Sequence, residues 1–179
     1  VLKIDVLKSI LINTPNRIME STIQTQQKLA AIMFTDIISF SKMTGNNEKK
    51  ALSILKEHNT LLSDQFTKHN GCIIKELGDG YLTEFSSSLE SVNAAIAIQH
   101  SLYVYNATQE IDNRINIRIG IHLGDIVKTD NEDILGDGVN IASRIEPFSE
   151  PNGGGLCFSQ QIYDQIHNKI NFDKTKNTK

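Results

Sequence analysis

Residues 75–85 read KELGDGYLTEF, and this stretch places one acid, Asp79, between two glycines. Apolar and β-branched residues precede it at 72–74 and return at 81–85, which is typical of two short strands. Glycine is the residue that tolerates the backbone angles of a tight turn. The stretch therefore predicts a β-hairpin with Asp79 at its tip.

A strand and a long helix are predicted before this hairpin. Residues 29–37, LAAIMFTDI, form a continuous apolar run that fits a strand buried on both faces, with Asp36 near its end. From residue 48 to residue 69 the apolar positions recur at helical spacing, and Gly71 follows as a helix stop. The order up to the hairpin is thus strand, helix, hairpin.

A second helix and another strand are predicted after the hairpin. Residues 89–107 fit a helix whose apolar stripe contains Val92, Ala95, Ile96 and Leu102. In RINIRIGIH, residues 114–122, isoleucines alternate with more polar residues, as in a half-buried strand whose polar face carries Asn116, Arg118 and His122. A further hairpin is predicted at residues 123–125 and a helical segment near residues 139–145. This order predicts an α+β fold with a ferredoxin-like βαββαβ core and C-terminal additions.

The composition predicts a single domain without a nucleic-acid surface. The 179 residues suffice for one ordinary domain with a real core. A formal net charge of -3 indicates no excess of positive charge that would attract polyanions, so a polyanionic substrate would have to be held by local positive charge, such as bound cations. No apolar run approaches the roughly 18 residues of a membrane span, and only two cysteines occur, Cys72 and Cys157, which favours a reducing, cytoplasmic location.

The N-terminal segment is predicted to be separate from this domain. Residues 1–27 are mostly polar, apart from apolar residues at 6–11 that fit one face of a short helix ended by Pro15. We predict a linker or signalling helix over 1–27 and a domain over 28–179; a truncated helix that packs nowhere is the alternative. Because the chain begins with Val1, we expect it to be a piece of a longer protein.

Asp36 and Asp79 are the first candidate site residues. In a ferredoxin-like sheet the first strand and the central hairpin are neighbours, so their carboxylates are expected to approach each other. Two close carboxylates repel unless divalent cations lie between them. Mg²⁺ bound by one or two carboxylates and by phosphates suits a nucleoside triphosphate. The alternative is that Asp36 caps the turn after its strand and that Asp79 is a solvated hairpin acid, since aspartate is a common turn residue.

Three motifs together resemble the catalytic domain of class III nucleotidyl cyclases. They are FTDIISFS at 34–41, KELGDG at 75–80 and GDGVNIASRIE at 136–146, and the likeness extends over residues 28–167. The resemblance implies a head-to-tail homodimer with two shared active sites at its interface. It also implies a two-metal reaction in which the ribose 3'-hydroxyl attacks the α-phosphate and pyrophosphate leaves.

The resemblance assigns a role to each matching residue. It implies that Asp36, Asp79 and the backbone carbonyl of Ile37 bind two Mg²⁺ or Mn²⁺ ions, and that the amides of Phe40 and Ser41 contact phosphate. Further roles follow from the same motifs. Lys75 and Asp133 match the residues that read the ring nitrogen and the amino group of adenine, while Asn140 and Arg144 match the residues that orient the ribose and stabilise the transition state.

The function implied is an adenylate cyclase that converts ATP to 3',5'-cyclic AMP and pyrophosphate, with a fused upstream sensor or regulatory domain. One alternative is a catalytically silent cyclase homologue that acts in dimerisation or regulation. Another is a different palm-type enzyme, such as a diguanylate cyclase or a polymerase palm. Taken singly, Lys75 and Asp133 are also compatible with solvated surface residues, and Arg144 with a salt bridge to Glu110 or Glu146.

Two features depart from the family pattern. Asp125 occupies a position where some members carry a basic residue. The family's triphosphate-binding lysine has no clear counterpart, since nothing aligns Lys174, Lys176 or Lys179 with it, so we expect the domain to be truncated at its C-terminal end. The connection from Val127 to Asp133 is short, which predicts a small dimerisation arm.

Overall fold

The computed structural model describes residues 26–149 and 155–171 of the chain. Within these ranges the strands are β1 (Gln26–Ile37), β2 (Cys72–Glu76), β3 (Gly80–Phe85), β4 (Ile117–Lys128), β5 (Ile134–Leu135) and β6 (Gly155–Phe158). The helices are α1 (Phe40–Asn46), α2 (Glu48–Lys68), α3 (Ser88–Ala107), α4 (Asp137–Ile145) and α5 (Gln160–Ile166). A short 3-10 turn, Glu146–Ser149, follows α4 directly.

The described strands form one sheet. The order β2-β3-β1-β4 is antiparallel throughout, with α2 between β1 and β2 and α3 between β3 and β4. Strand β5 pairs with the end of β4 antiparallel, and β6 pairs with its beginning parallel. The predicted ferredoxin-like α+β core is therefore confirmed, and the elements after β4 are its C-terminal additions.

A large apolar core lies on one face of the sheet, beneath α2, α3 and α5. Successive side chains of a strand point to opposite faces, and here alternate residues of β1 and β4 enter this core. The buried side chains include Met33, Ile37, Leu62, Phe66, Tyr81, Phe85, Ile98, Leu102, Ile117, Ile119 and Ile121. We call this side of the sheet the apolar face.

The opposite side of the sheet carries a much smaller apolar cluster, formed by Ala30, Ile32, Leu82, Ile126, Ile134 and Ala142. Helix α4 contacts β1 and β4 on this side. A Cβ atom on Gly124 of β4 would lie 2.9 Å from the Cα atom of Gly138, so glycine at this position allows the close approach of α4. Because Asp36 and Arg118 alternate with apolar-face residues of their strands, they lie on this side, which we call the site face.

The predicted hairpin at residues 123–125 is wrong. Strand β4 continues without interruption through these residues, which pair with residues 29–31 of β1. The chain turns later, where the Thr129 amide donates a hydrogen bond to the Asp133 carbonyl at 2.9 Å. Gly124 serves the packing of α4 rather than a turn, and a local turn signal does not distinguish these two uses of glycine.

The exposure of two side chains differs from the prediction. Ile96 was assigned to the buried stripe of α3, but 47% of it is exposed. His122 was assigned to the polar side of its strand, but only 4% of it is exposed because α4 covers this part of β4. The predicted N-terminal helix over residues 1–27 lies outside the described residues, except for its last two, which begin β1.

Candidate active site

The hairpin between β2 and β3 lies against the end of β1 and brings Asp79 to Asp36. Asp36 is the register partner of Gly80, and the Ile37 amide donates a hydrogen bond to the Asp79 carbonyl at 3.1 Å. A Cβ atom on Gly80 would lie 1.7 Å from the Thr35 carbonyl oxygen, so only glycine permits this approach. The two predicted acids therefore meet, although they are far apart in the sequence.

The two carboxylates affect each other electrostatically. Partial burial and the nearby Asp36 carboxylate raise the pKa of Asp79, and the positive charge of Arg118 opposes this rise. A divalent cation would relieve the same repulsion. No group of three or more histidine, cysteine, aspartate or glutamate side chains in the described ranges is arranged to bind a metal. Two carboxylates completed by phosphate and water oxygens fit Mg²⁺, which commonly binds in that way.

Arg118 is a site residue to which the sequence assigned no role. It lies directly opposite Asp36 in the pairing of β1 with β4, and its Nη2 contacts Asp36 Oδ2. Its Nε lies 2.6 Å from Oε1 of Glu146, the residue that follows α4. The alternation in β4 places Arg118 on the polar side of the strand, but alternation does not identify its partners on another strand and in a distant turn.

Lys75 and Asp133, the predicted adenine-reading residues, contact each other. Lys75 Nζ lies 2.6 Å from Asp133 Oδ2, although one residue is on β2 and the other precedes β5. The hydrogen bond from Lys75 and another from the Ile134 amide lower the pKa of the Asp133 carboxyl group. A cationic donor and an anionic acceptor therefore stand side by side on an accessible part of the molecule.

Asn140 and Arg144 lie on α4 with exposed side chains, four residues apart on one side of the helix. Within the described residues, neither side chain forms a hydrogen bond or ion pair with Asp36 or Asp79. Glu146, one of the two alternative salt-bridge partners predicted for Arg144, contacts Arg118 in the structure. The helix that carries Arg144 therefore lies on the same face of the sheet as Asp36 without a polar contact from Asn140 or Arg144 to the acids in the described residues.

Phe40 and Ser41 begin α1, directly after Ser39, whose φ of 61° places it in the left-handed region. The amides of a first helical turn have no partner within the helix. The Phe40 side chain packs partly against the large core, while Ser41 is exposed. The Ile37 carbonyl belongs to the last residue of β1, beside the two acids.

Comparison with known proteins identifies a family. A family model described as the adenylate and guanylate cyclase catalytic domain matches residues 23–179. "Putative adenylate cyclase 3" of Rhizobium meliloti is 34% identical over 149 residues, which cover 83% of this chain and 25% of that protein. The receptor-type guanylate cyclase gcy-23 of Caenorhabditis elegans is 26% identical, over 76% of this chain and 14% of that protein.

A solved structure agrees with these sequence matches. The adenylate/guanylate cyclase/hydrolase from Silicibacter pomeroyi superimposes with a TM-score of 0.74 at 30% identity, covering 87% of this chain and 93% of that one. The chain spans only a quarter or less of the two curated relatives named above. Among the residues that the structure describes, no helix has both the length and the apolar character needed to cross a bilayer.

Proposed function

The chain belongs to the adenylate and guanylate cyclase catalytic domain family, and on that premise we propose that it converts ATP to 3',5'-cyclic AMP and pyrophosphate as a homodimer. The observation that carries the proposal is the meeting of Asp36 and Asp79 at the end of β1. The Lys75–Asp133 pair supports the choice of ATP.

Asp36, Asp79 and the Ile37 carbonyl would hold two Mg²⁺ or Mn²⁺ ions. Bound there, such ions lower the pKa of the attacking ribose hydroxyl and offset the charge of the triphosphate. Support comes from the closeness of the two acids at the end of β1, where partial burial and then the charge of Asp36 raise the pKa of Asp79. The amides of Phe40 and Ser41 add hydrogen-bond donors for phosphate oxygens in the first turn of α1.

Lys75 and Asp133 select the base. Adenine presents an acceptor at its ring nitrogen and a donor at its amino group, so the matching site offers one donor and one acceptor. Guanine presents the reverse polarity and would leave both side chains without a matching hydrogen-bond partner on the base. The two side chains bond to each other at 2.6 Å in the structure, so an arriving adenine exchanges that contact for two of its own.

Asn140 and Arg144 act on an ATP molecule held by the acids of the partner chain. Asn140 orients the ribose, and Arg144 places a permanent positive charge beside the α-phosphate oxygens as negative charge develops there. This scheme uses a second chain, and it is supported by the absence of a hydrogen bond or ion pair from these residues to Asp36 or Asp79 within the described part of one chain. Each active site of the homodimer is therefore shared.

A product assay across protein concentrations tests these proposals. Purified protein is incubated with ATP or GTP and Mn²⁺, and the cyclic product is quantified at protein concentrations spanning dimer formation. We expect cyclic AMP to dominate and specific activity to rise with concentration. A flat trace at high concentration would favour the silent regulatory module, and dominant cyclic GMP would overturn the assignment of Lys75 and Asp133. The Asp36→Ala variant is the negative control.

A further inference from the structure

We infer that Arg118 is a positioning residue that holds Asp36 when no cation is bound, and that it competes with divalent cations for this carboxylate under the control of Glu146. The inference rests on the proposed role of Asp36 as a metal ligand. It concerns a residue for which the sequence motifs predicted no function.

The contact between Arg118 and Asp36 is built into the sheet. The two residues are direct partners in the antiparallel pairing of β1 with β4, on the same face. Side chains that lie directly opposite each other in such a pair are close enough to interact. Arg118 therefore reaches Asp36 without any loop having to move.

Glu146 reaches Arg118 because Gly120 leaves space for it. A Cβ atom on Gly120 would lie 2.3 Å from the Glu146 backbone nitrogen, so the residue after α4 lies directly on the strand. Gly120 and Arg118 are two positions apart in β4 and share a face. The Glu146 carboxylate then approaches the arginine Nε to 2.6 Å. Arg118 is thus shared between two carboxylates, one on each side.

The three side chains are only partly accessible, with exposures of 27% for Asp36, 26% for Arg118 and 13% for Glu146. Attraction between partly buried charges is screened less by salt and water than attraction between exposed ones. Arg118 also acts electrostatically on Asp79. The single arginine therefore offsets only part of the negative charge of the nearby carboxylates, and a cation attracted by the remainder must displace or repel the arginine.

This competition predicts opposite effects on the affinity for Mn²⁺ when Arg118 is substituted and when Glu146 is substituted. Removing the arginine charge in Arg118→Gln frees Asp36, and we expect Mn²⁺ to bind roughly threefold more tightly or better. Removing the charge of the second carboxylate in Glu146→Gln strengthens the hold of Arg118 on Asp36, and we expect Mn²⁺ to bind more weakly by a similar factor. Arg118→Lys retains the charge, but its single ammonium group cannot contact both carboxylates as the guanidinium does, so we expect Mn²⁺ to bind more tightly than to wild type and less tightly than to Arg118→Gln.

The measurement is calorimetric titration of the purified protein with Mn²⁺ alone, with circular dichroism to verify folding. Arg114→Gln is the matched control, because Arg114 is an exposed arginine outside this cluster, and its affinity is expected to equal that of wild type. The double variant Arg118→Gln/Glu146→Gln tests whether Glu146 affects Mn²⁺ binding through its contact with Arg118 or through its own negative charge near the cation. If Glu146 acts through Arg118, its substitution has no further effect once Arg118 is absent.

The outcomes separate this inference from the proposed function. If Mn²⁺ binding is unchanged by Asp36→Asn, the metal role of Asp36 fails and the competition fails with it. If Asp36→Asn abolishes binding but both single variants weaken it alike, or leave it unchanged, the proposed function stands and the competition is overturned. Should Arg118→Gln not fold, weaker binding by Glu146→Gln together with tighter binding by Arg118→Lys supports the inference, and any other result for these two variants overturns it.

Discussion

The two faces of the sheet differ in what they are made of. The apolar face is packed with aliphatic and aromatic side chains beneath three helices. The site face has only a small apolar cluster beneath α4 and carries a row of charged residues, including Asp36, Arg118, Lys28 and Glu84. Lys28 and Glu84 form an ion pair across β1 and β3 on this side.

This difference indicates that one face of the sheet mainly stabilises the fold, while the other face carries the charged residues of the candidate site. Burial of apolar area is the main favourable contribution to folding, and most of it is found on one face. The other face can then accommodate carboxylates at close quarters, which would be unfavourable in a core that had to supply all the stability. Substitutions on the two faces are therefore expected to have different effects, on folding in one case and on chemistry in the other.

The largest expected effect is on the site face. Asp36→Ala or Asp79→Ala is expected to lower turnover more than about a thousandfold, because each removes a proposed metal ligand while the apolar face stays intact. Production of cyclic AMP and a thermal melt measure the two effects. Asp64→Ala is the control, since Asp64 is an exposed acid on α2. Near-normal turnover in either site variant would remove the basis for the metal assignment.

A substitution on the apolar face is expected to lower the stability of the fold rather than to remove a residue of the candidate site. Phe66 is 1% exposed and packs edge-on against Tyr81 and Phe85. We expect Phe66→Ala to lower the free energy of unfolding by about 3–5 kcal/mol through lost burial and an unfilled cavity. Chemical denaturation measures it. A stability loss below about 1 kcal/mol would contradict the assignment of stability to this face.

Arg144→Ala is expected to lower turnover about a hundredfold with little change in the KM for ATP, because the residue is proposed to act in the transition state. Steady-state kinetics distinguish this from a binding defect. The exposed position of the side chain predicts an unchanged melting temperature. A large rise in KM with normal turnover would instead indicate a role in ATP binding.

Mixing variants tests the shared site. Equal amounts of Asp36→Ala and Arg144→Ala chains are expected to recover about a quarter of wild-type activity, because half of the random dimers contain one intact site. Each variant alone is the control. No recovery, with chain exchange verified, would mean that one chain supplies all the residues of a site.

The smallest expected effect concerns base choice. Lys75→Glu combined with Asp133→Cys is expected to shift the preference from ATP toward GTP by about tenfold. The donor at position 75 becomes an acceptor, and the acceptor at position 133 becomes a donor. Competition between the two nucleotides in one reaction measures the ratio. The single variants serve as controls, and each is expected to lose ATP activity because it leaves one partner of the 2.6 Å contact behind. Unchanged selectivity in the double variant would reject these roles.

Much of the fold was predictable from short-range patterns. The helical spacing from Ala51 to Phe66 predicted α2, and the alternating isoleucines predicted β4 and its buried side. Gly124 misled the prediction, because a glycine required for helix packing looks the same in sequence as a glycine required for a turn. His122 was misassigned for a related reason, since α4 covers a part of the strand that its polarity alone suggested was open.

The candidate site was predictable to a different degree at each residue. The acids and the Lys75–Asp133 pair were named from motifs, and the structure brings each pair together. Their roles in metal binding and base selection remain proposals. Arg118 and Glu146 were missed as site residues, because the only signal was a polar position on a strand and an acid at the end of a helix.

By itself, the sequence determined β1, α2, the β2–β3 hairpin, α3, the isoleucine side of β4 and α4, because these depend on periodicities a few residues long. Only the tertiary structure decided that Arg118 lies between Asp36 and Glu146 and that β4 passes straight through Gly124. Those facts depend on strand register and on how closely a helix approaches the sheet. Both are set by the packing of residues far apart in the chain, and no local pattern records them.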